Sequence, residues 1–337
     1  MTRVALLAAL VFLAGSAPNA VLPSAQRAEK VQGAAQPGPR SQPALLFHAR
    51  LRRLVLLDGT YSAVRPEHSE IWIWDARAWA LIPSTGPTGR YASAAVYDSR
   101  RDRIVSFSGR VGRDERITPD TWEWDGQSWT EMRDTSAGAR DHHMMAYDAA
   151  RGRTVMYGGG PFPRRPGPWA TDTWEWDGTA WRQVGASGPL GRVAAMVYDA
   201  ARRQVLMFGG VGAPVGERRE QPNYGDTWGW DGALWRKLND AGPSPRDRHA
   251  MAFDSRAGVV LLYGGETRSQ QFDDMWKWDG RRWSRIALTG ATPGKRSLHA
   301  MAYDPVRDRT VLFGGNNNGR VVSDTWEWDG RRWTRAN

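Results

Sequence analysis

The sequence predicts an all-β protein in which six sheets of four antiparallel strands close into a six-bladed β-propeller. The main observation is a repeated segment, Asp-Thr-Trp-Glu-Trp-Asp-Gly-x-x-Trp in its clearest copy, whose first Trp falls at positions 72, 122, 174, 228, 276 and 326. A period near fifty residues indicates a repeat architecture. The second observation is that 18 of the 19 Trp belong to these six triplets, and only Trp169 does not. One four-stranded sheet cannot bury both of its faces, whereas six in a ring can.

Each repeat carries the signals of four short strands, which are clearest in the last copy. Residues 299–304 alternate in size and polarity, as expected for a first strand. The β-branched and apolar run 310–313 predicts a second strand, covered on both faces, that ends at a glycine pair. Trp326 and Trp328 share one face of a third strand, and Trp333 begins a fourth strand after an Asp-Gly turn.

The domain organisation follows from an Arg that opens every repeat. We expect the propeller to cover residues 40–337, with blades starting near Arg40, Arg90, Arg140, Arg192, Arg246 and Arg296. Residues 1–20 have the form of a secretory signal peptide, because Arg3 precedes an apolar stretch at 4–14 that is too short to span a membrane. Residues 21–39 are rich in Ala, Pro, Gln, Ser and Gly, which predicts a flexible leader. We therefore expect an exported protein, periplasmic or extracellular, with no membrane span after removal of the signal.

The first repeat departs from the pattern, with Asp58 in place of the first glycine, Ile71 in place of Thr and Ala76 in place of the turn glycine. Terminal repeats are often atypical. This repeat nevertheless contains a complete first strand at 44–48, and the last repeat ends soon after Trp333. We therefore expect the ring to close by packing of the sixth blade on the first, and the protein to be a monomer.

The combined motifs resemble the kelch repeat, in the form found in exported bacterial proteins. They are the opening Arg-x-x-His-x-Met-x-Tyr-Asp at 296–304, the pair Gly314-Gly315, and the Trp-containing close at 324–333. The resemblance covers residues 40–337 and implies a six-bladed β-propeller with the first strand of each blade innermost. It does not imply a function, because kelch propellers serve both as interaction modules and as enzymes.

The enzyme classes that this resemblance brings in include a copper-radical galactose oxidase and a sialic acid epimerase. Copper-radical chemistry of that type needs a Cys cross-linked to Tyr, and the chain has no Cys, which excludes it. An epimerase or lyase that uses Arg, His and Glu at the rim remains the alternative function. His143, His249 and His299 are equivalent in three repeats and more plausibly satisfy backbone groups than bind a metal. We expect no cofactor and no metal site.

Nucleic-acid binding is suggested by the net charge of +10 and the isoelectric point near 10.2. The basic residues are nearly all Arg and are spread through every repeat, with acidic residues between them. That distribution differs from the continuous basic stripe that follows a phosphate backbone. We therefore expect no nucleic-acid partner.

The candidate ligand-binding residues are those that break the six-fold pattern on one rim. Strand alternation brings the loops that carry the opening Arg and the loops after the glycine pair to the same rim, opposite the Asp-Gly turns. The opening Arg either surround the channel mouth and attract anions or pair with a neighbouring blade, and the sequence leaves both interpretations open. The predicted set is Arg140, His142, Arg246, Arg248, Trp169 and Tyr224.

These residues predict a binding module that recognises a protein or an anionic glycan in the cell envelope or outside the cell. The loops after the glycine pair are longest in the third and fourth repeats, where Pro, aromatic residues and Arg accompany Trp169 and Tyr224. Loops of this composition are typical of recognition surfaces. The Asp-Gly turns of the opposite rim are nearly identical in five repeats and offer little basis for selecting one partner.

Overall fold

The computed structural model describes residues 36–60, 68–112, 114–160, 169–185, 188–214 and 220–336. The regular structure in these segments is β-strand, and none of them contains a helix of the length and hydropathy needed to cross a membrane. The predicted signal peptide, residues 1–20, lies outside the described residues, as does the predicted leader up to residue 35.

Each repeat forms one four-stranded antiparallel sheet, called a blade below and numbered in chain order. Blade 1 contains β1 (Ala44–His48), β2 (Arg53–Leu57), β3 (Ile71–Trp74) and β4 (Trp79–Ile82). The second repeat contains β5 (Arg90–Tyr91), β6 (Ala94–Asp98), β7 (Arg103–Phe107), β8 (Arg110–Val111), β9 (Arg116–Ile117), β10 (Thr121–Trp124) and β11 (Trp129–Met132). Blade 2 is β6, β7, β10 and β11, while β5, β8 and β9 form a small separate sheet. Blade 3 contains β12 (Met144–Asp148), β13 (Arg153–Tyr157), β14 (Thr173–Trp176) and β15 (Trp181–Gly185).

The second half of the ring follows the same order. Blade 4 contains β16 (Arg192–Asp199), β17 (Gln204–Gly212), β18 (Asn223–Trp230) and β19 (Trp235–Asn239). Blade 5 contains β20 (Ala250–Asp254), β21 (Val259–Tyr263), β22 (Met275–Trp278) and β23 (Trp283–Ile286). The last repeat contains β24 (Ala300–Asp304), β25 (Arg309–Phe313), β26 (Asn316–Asn317), β27 (Arg320–Val321), β28 (Thr325–Trp328) and β29 (Trp333–Arg335). Blade 6 is β24, β25, β28 and β29, and β26 pairs with β27 in a two-stranded ribbon.

The first strand of each blade is innermost, as the resemblance to kelch repeats implied. Each first strand contacts the first strand of the next blade, and β24 contacts β1, so the ring is closed. No described blade borrows a strand from another repeat, which confirms closure by packing of the sixth blade on the first.

Equivalent backbone hydrogen bonds connect neighbouring blades at the glycine pair. The second residue of the pair donates its N–H to the carbonyl oxygen of the next opening Arg, at 2.8 Å for Gly265 to Arg296 and 2.8 Å for Gly315 to Arg40. Gly315 has φ of +92°, and a Cβ there would lie 2.6 Å from the carbonyl oxygen of Ser297. Left-handed backbone and close approach together require glycine at this position.

The Trp triplets form a second set of contacts that recurs around the ring. In blade 3, Trp174 donates its indole N–H to Asp172 within its own blade, at 2.6 Å. Trp176 and Trp181 instead donate to Glu123 at 2.8 Å and to Thr121 at 2.9 Å, both in blade 2. The Thr-Trp-Glu-Trp segment of one blade thus supplies two hydrogen-bond acceptors to the following blade. This accounts for the recurrence of Thr and Glu and gives the triplets a role in packing one blade on the next.

Departures from Thr-Trp-Glu-Trp leave indole groups of the following blade without an acceptor. Blade 4 has Gly229 where blades 2, 3 and 6 have Glu, and blade 5 has Met275 where blades 2, 3, 4 and 6 have Thr. Correspondingly, the buried Nε1 atoms of Trp278 and Trp333 have no hydrogen-bond partner among the described residues. A buried unpaired polar group costs about 1–3 kcal/mol, so these junctions are less well stabilised than their neighbours.

Candidate functional site

The six opening Arg are internal structural residues. Arg140 and Arg246 are 8 % and 0 % exposed and form ion pairs with Asp172 at 3.0 Å and Asp274 at 2.5 Å. Each also donates to the carbonyl oxygen of the first glycine of its own repeat, for example Arg246 to Gly264 at 3.0 Å. The opening Arg therefore pair within their own repeat, neither surrounding the channel mouth nor pairing with a neighbouring blade. The charges of Arg140 and Arg246 are neutralised inside the fold, which corrects their predicted exposure to a ligand.

The aspartates that accept these bonds are held as anions. Burial by itself raises the pKa of Asp172 and Asp274, but the hydrogen bonds from Arg140 and Arg246 and from the neighbouring Trp outweigh it, so that both pKa values lie below the usual value. Each of these Asp is thus the ion-pair partner of the opening Arg of its own repeat.

Tyr224 covers one of the buried Arg. The guanidinium of Arg192 lies 3.9 Å from the centre of the Tyr224 ring, and Arg246 lies 3.8 Å from the Phe272 ring in the equivalent position of the next blade. Cation–π contacts of this kind stabilise a desolvated guanidinium. The same contact in two blades gives Tyr224 a packing role.

The equivalent His143, His249 and His299 are buried and pack edge-on against an aromatic ring of the preceding blade. The ring centres of His249 and Phe208 lie 5.5 Å apart at 75°. Burial lowers the pKa of His143 and of His249 to about 3 and that of His299 well below its usual value, so all three are neutral. The described residues include no cluster of His, Cys, Asp or Glu suited to a metal ion.

A pocket of about 220 Å³, here named the axial pocket, lies where the opening loops of the blades meet. It brings together three predicted residues, His142, Arg248 and Trp169. His142 and Arg248 have φ of 54°, and the N–H of His142 donates to the carbonyl oxygen of Ala92 in the preceding blade at 2.9 Å. Left-handed backbone at this position therefore connects adjacent blades and presents the side chain at the channel mouth. Trp169 is 8 % exposed and packs over Gly160 and Gly191, so it is mainly a buried wall.

A larger polar cavity of about 800 Å³, here named the rim groove, extends from the axial pocket across blades 4 to 6. The two cavities share Val211, Gln221, Asp247 and Arg248. The groove is otherwise lined by polar side chains from the opening loops and the loops after the glycine pair: Asn223, Glu266, Thr267, Arg268, Ser269, Gln270, Gln271, Lys295 and Asn318. Both loop sets thus lie on one rim, called the loop rim below, as strand alternation predicted.

The charged groups of the groove are unevenly partnered. Arg248 makes an ion pair with Glu266, and its Nε lies 3.7 Å from Asp247. Arg268 and Lys295 are exposed and make no ion pair with any described residue. The groove therefore contains two uncommitted cations beside a carboxyl pair.

The two carboxyl groups differ in their surroundings. Burial raises the pKa of Asp247 to about 6; the charge of Arg248 opposes this shift, and that of Glu266 adds to it. Burial also raises the pKa of Glu266, but hydrogen bonds with Ser297, Gln271 and Arg248 outweigh burial and place it below the usual value. The side-chain amide of Gln271 donates to Glu266 and to Ser297, each at 2.9 Å, which fixes Glu266 between blades 5 and 6.

On the opposite side of the loop rim, His142 belongs to a separate ionic network. Its Nδ1 lies 3.3 Å from Asp141, which also accepts a hydrogen bond from the buried Arg110. Arg110 in turn pairs with Glu115 at 3.1 Å, and Glu115 accepts a bond from Tyr91 at 2.7 Å. This network connects β5 and β8 to the opening loop of blade 3, and none of its members lines the rim groove.

The structure thus brings some predicted site residues together and separates others. Arg248 lies in both cavities, His142 and Trp169 in the axial pocket, and Arg140, Arg246 and Tyr224 in structural positions. The long loops that drew attention to blades 3 and 4 have their centres, residues 161–168 and 215–219, outside the described residues. The groove residues of the blade 5 loop, 266–271, were missed, although they break the six-fold pattern equally clearly.

Comparison with known proteins supports the architecture. Residues 194–337 match the family described as the KLHDC2/KLHL20/DRC7 Kelch-repeats domain. A solved structure described as "Structure of YjhT" is similar with a TM-score of 0.66 at 13 % sequence identity, and the alignment covers 90 % of this chain and 99 % of that chain. No curated protein matches the sequence. The repeat motifs, the closed ring of blades, the family match and the shared fold together establish that the chain is a kelch-repeat β-propeller.

Proposed function

We propose that the protein is an exported binding module that holds an anionic glycan in the rim groove. The observation that carries the proposal is the pair of exposed, uncommitted cations, Arg268 and Lys295, in a polar groove of about 800 Å³. A cavity of that size is within the range of small-ligand sites. A kelch propeller is in general a binding module or scaffold, so binding through one rim is the function with the smallest additional assumption.

The chemistry of the lining favours a sugar over other ligands. Amide side chains such as Asn223, Gln271 and Asn318 present both donors and acceptors, which match the hydroxyl groups of a saccharide. The only apolar side chain among the described groove residues is Val211, which makes the groove a poor site for an apolar ligand. Stacking platforms for single-stranded nucleic acid need aromatic side chains, and the described lining of the groove has none.

The charge balance favours an acidic ligand. Arg248, Arg268 and Lys295 face two carboxyl groups, Asp247 and Glu266, which leaves the groove with a net positive charge. The six opening Arg are committed to buried ion pairs and contribute little field at the rim. Attraction of an anion is therefore local to the groove and should decrease with ionic strength.

The test compares the double variant Arg268→Ala/Lys295→Ala with the control Arg281→Ala/Arg331→Ala, which removes two exposed Arg from the Asp-Gly turns of the opposite rim. Binding of trigalacturonate, neutral maltotriose and a hexaglutamate peptide is measured by calorimetry at low and moderate salt. We expect the groove variant to bind trigalacturonate about tenfold or more weakly, a loss of about 1.4 kcal/mol, while the control binds normally.

The other outcomes are equally informative. Tighter binding of hexaglutamate than of trigalacturonate would identify an acidic protein segment as the ligand. Equal losses in the groove variant and in the turn control would place binding elsewhere. Because Arg268 and Lys295 make no ion pair with a described residue, both variants should keep the melting temperature of the parent. Trp169→Ala, by contrast, would remove a buried ring and destabilise the fold.

A carbohydrate-active enzyme, resembling a sialic acid epimerase or a lyase, is the second candidate function. The observation that favours it is the carboxyl pair Asp247 and Glu266, in which burial raises one pKa to about 6 while the other is lowered. Two carboxyl groups with separated pKa values are typical of acid–base sites. Incubation of oligosaccharides with the protein, followed by mass spectrometry and NMR of the anomeric protons, tests this function. A product that is absent with Asp247→Asn would support it.

Export rests on the sequence of residues 1–20, which is outside the described part of the chain. The proposal predicts that the protein recovered from the envelope or the medium begins after the small residues near position 17. Mass spectrometry of its N-terminal peptide measures this, and recovery of the uncleaved N-terminus from a cytosolic fraction would contradict export.

A further inference from the structure

Asp247 and Glu266 are directly opposed across an antiparallel bridge. The N–H of each residue donates to the carbonyl oxygen of the other, at 2.9 Å in both directions. The side chains of residues opposed in this way lie on the same face, with Cβ atoms about 4.5–5.5 Å apart. The backbone of blade 5 therefore holds two carboxyl groups side by side in the wall of the rim groove.

Equivalent bridges in other blades do not oppose two acids. Blade 1 has Ser41 opposite Thr60, and blade 6 has Ser297 opposite Asn316. Blade 3 has Asp141 in the position of Asp247, but the opposed residue is Gly160, and Arg110 donates directly to the Asp141 carboxylate. The acid pair is thus specific to the blade that supplies most of the groove.

Within the pair, the stabilising partners belong mainly to Glu266. Arg248 points its Nη1 at Glu266, and Gln271 donates to the same carboxylate. The Nε of Arg248 lies 3.7 Å from Asp247, beyond the range of a direct hydrogen bond. Asp247 is 5 % exposed, and its partner from the neighbouring blade is the uncharged side chain of Asn223, whose hydrogen bond lowers the pKa of Asp247 by less than burial raises it. Asp247 is therefore the member of the pair that favours its neutral form.

We propose that the rim groove binds its anionic ligand together with one proton. Asp247 takes this proton from solvent and keeps it, and the resulting O–H donates a hydrogen bond to the acidic group of the ligand. This inference rests on the proposed function. An ionised Asp247 would repel the ligand, whereas the neutral carboxyl offers an O–H donor and leaves Arg248, Arg268 and Lys295 facing a single carboxylate. The position of the Asp247 pKa near 6 is consistent with this coupling, since binding needs to raise it by about one to two pH units to hold the proton at pH 7.

Proton uptake is measured by titrating the mature protein with trigalacturonate at pH 7 in two buffers of different ionisation enthalpy. The probe's own carboxyl groups remain ionised at this pH. We expect between half a proton and one proton taken up per ligand bound, and an affinity that falls by up to about tenfold per pH unit between pH 6.5 and pH 8. Binding with no proton uptake and a flat pH profile would overturn the proposal.

Two variants distinguish proton donation from a structural role. Asp247→Asn keeps an N–H donor at the same place and should bind at pH 8 as tightly as the parent does at low pH, without proton uptake. Glu266→Gln removes the neighbouring negative charge, so the pH profile should shift to lower pH while its slope is kept. A residue needed only for folding would show neither pattern, and an unchanged slope in Asp247→Asn would contradict the proposal.

A ligand-free measurement separates failure of this inference from failure of the proposed function. Carbon-detected NMR of the Asp247 carboxyl group should show a titration midpoint near 6 in the parent and a lower one in Glu266→Gln. A midpoint near 4 would overturn the inference even if trigalacturonate binds. Absence of binding by every acidic probe, with a midpoint near 6, would instead contradict the proposed ligand class and with it the coupling to that ligand.

Discussion

The hydrogen bonds that connect successive blades can be tested at two tryptophans that differ in little else. Trp176 and Trp278 occupy equivalent positions in blades 3 and 5 and are 1 % and 0 % exposed. Each packs on the third Trp of its own blade, with ring centres 5.5 Å apart at 43° in one case and 5.6 Å apart at 46° in the other. Trp176 donates to Glu123, whereas the Nε1 of Trp278 has no partner among the described residues.

Replacement of either residue by Phe removes the same atoms, so the packing loss should nearly cancel in the comparison. Trp176→Phe additionally removes a hydrogen bond to a charged acceptor, which is worth about 1.5–3 kcal/mol. Glu123 keeps its ion pair with Arg101 at 2.7 Å and is not left as an isolated buried charge, so the larger penalty for stranding a charge does not apply. Trp278→Phe removes a buried N–H that was never paired. We therefore expect Trp176→Phe to be the more destabilising change by at least about 1.5–3 kcal/mol.

The assay is equilibrium unfolding in urea followed by far-ultraviolet circular dichroism, because the remaining tryptophans would dominate a fluorescence signal. The slope of free energy against urea concentration should be the same in both variants, which makes the midpoints comparable. Equal destabilisation within about 0.5 kcal/mol, or a greater loss for Trp278→Phe, would refute the assignment of inter-blade hydrogen bonds as the reason for the repeated Glu.

Three further predictions concern stability. Gly229→Glu should supply the acceptor that Trp278 lacks and raise the free energy of unfolding by about 1–3 kcal/mol. The control Gly229→Ala should raise it by less than about 1 kcal/mol. In a Trp278→Phe background, which has no indole N–H, the advantage of Glu over Ala should vanish in a double-mutant cycle. Burial lowers the pKa of His249 to about 3, so its neutral form stabilises the fold above the unfolded pKa of about 6.5, and this contribution is lost as pH falls towards 3. Between pH 7 and pH 5, His249→Phe should therefore lose about 2 kcal/mol less stability than the parent, and parallel urea midpoints would contradict this. Ala76 has φ of +81° where other blades have glycine, and Gly330 has φ of +91° with open space where a Cβ would lie. Ala76→Gly should stabilise the protein by about 1 kcal/mol, and Gly330→Ala should destabilise it by a similar amount. If the melting temperatures of both variants shifted in the same direction from that of the parent, backbone strain at this turn position would be excluded as the origin of the effect.

The fold was predictable from sequence because the blades pack on one another through the same residue types at the same positions of each repeat. A fifty-residue period, six Trp triplets and recurring glycine pairs were enough to predict the four strands of each blade and closure without strand exchange. The boundaries of the first strand in blade 1, at residues 44–48, agree with the structure. What the repeat could not show is which blade receives each contact. Thr121 and Glu123 are separated from their Trp partners by more than fifty residues, and only the stacking of blades defines that direction.

The site was only partly predictable, because exposure is a property of the ring and not of the repeat. Arg246 and Arg248 are two residues apart, yet the first is buried against Asp274 and the second faces the groove. The left-handed backbone at position 248 causes this difference, and no residue type at that position signals it. The opposition of Asp247 and Glu266, nineteen positions apart, likewise depends on a bridge between two loops. Composition and periodicity determined the architecture by themselves, whereas the pairing of loops at the rim, set by how the blades pack around the axis, decided which polar residues share one cavity.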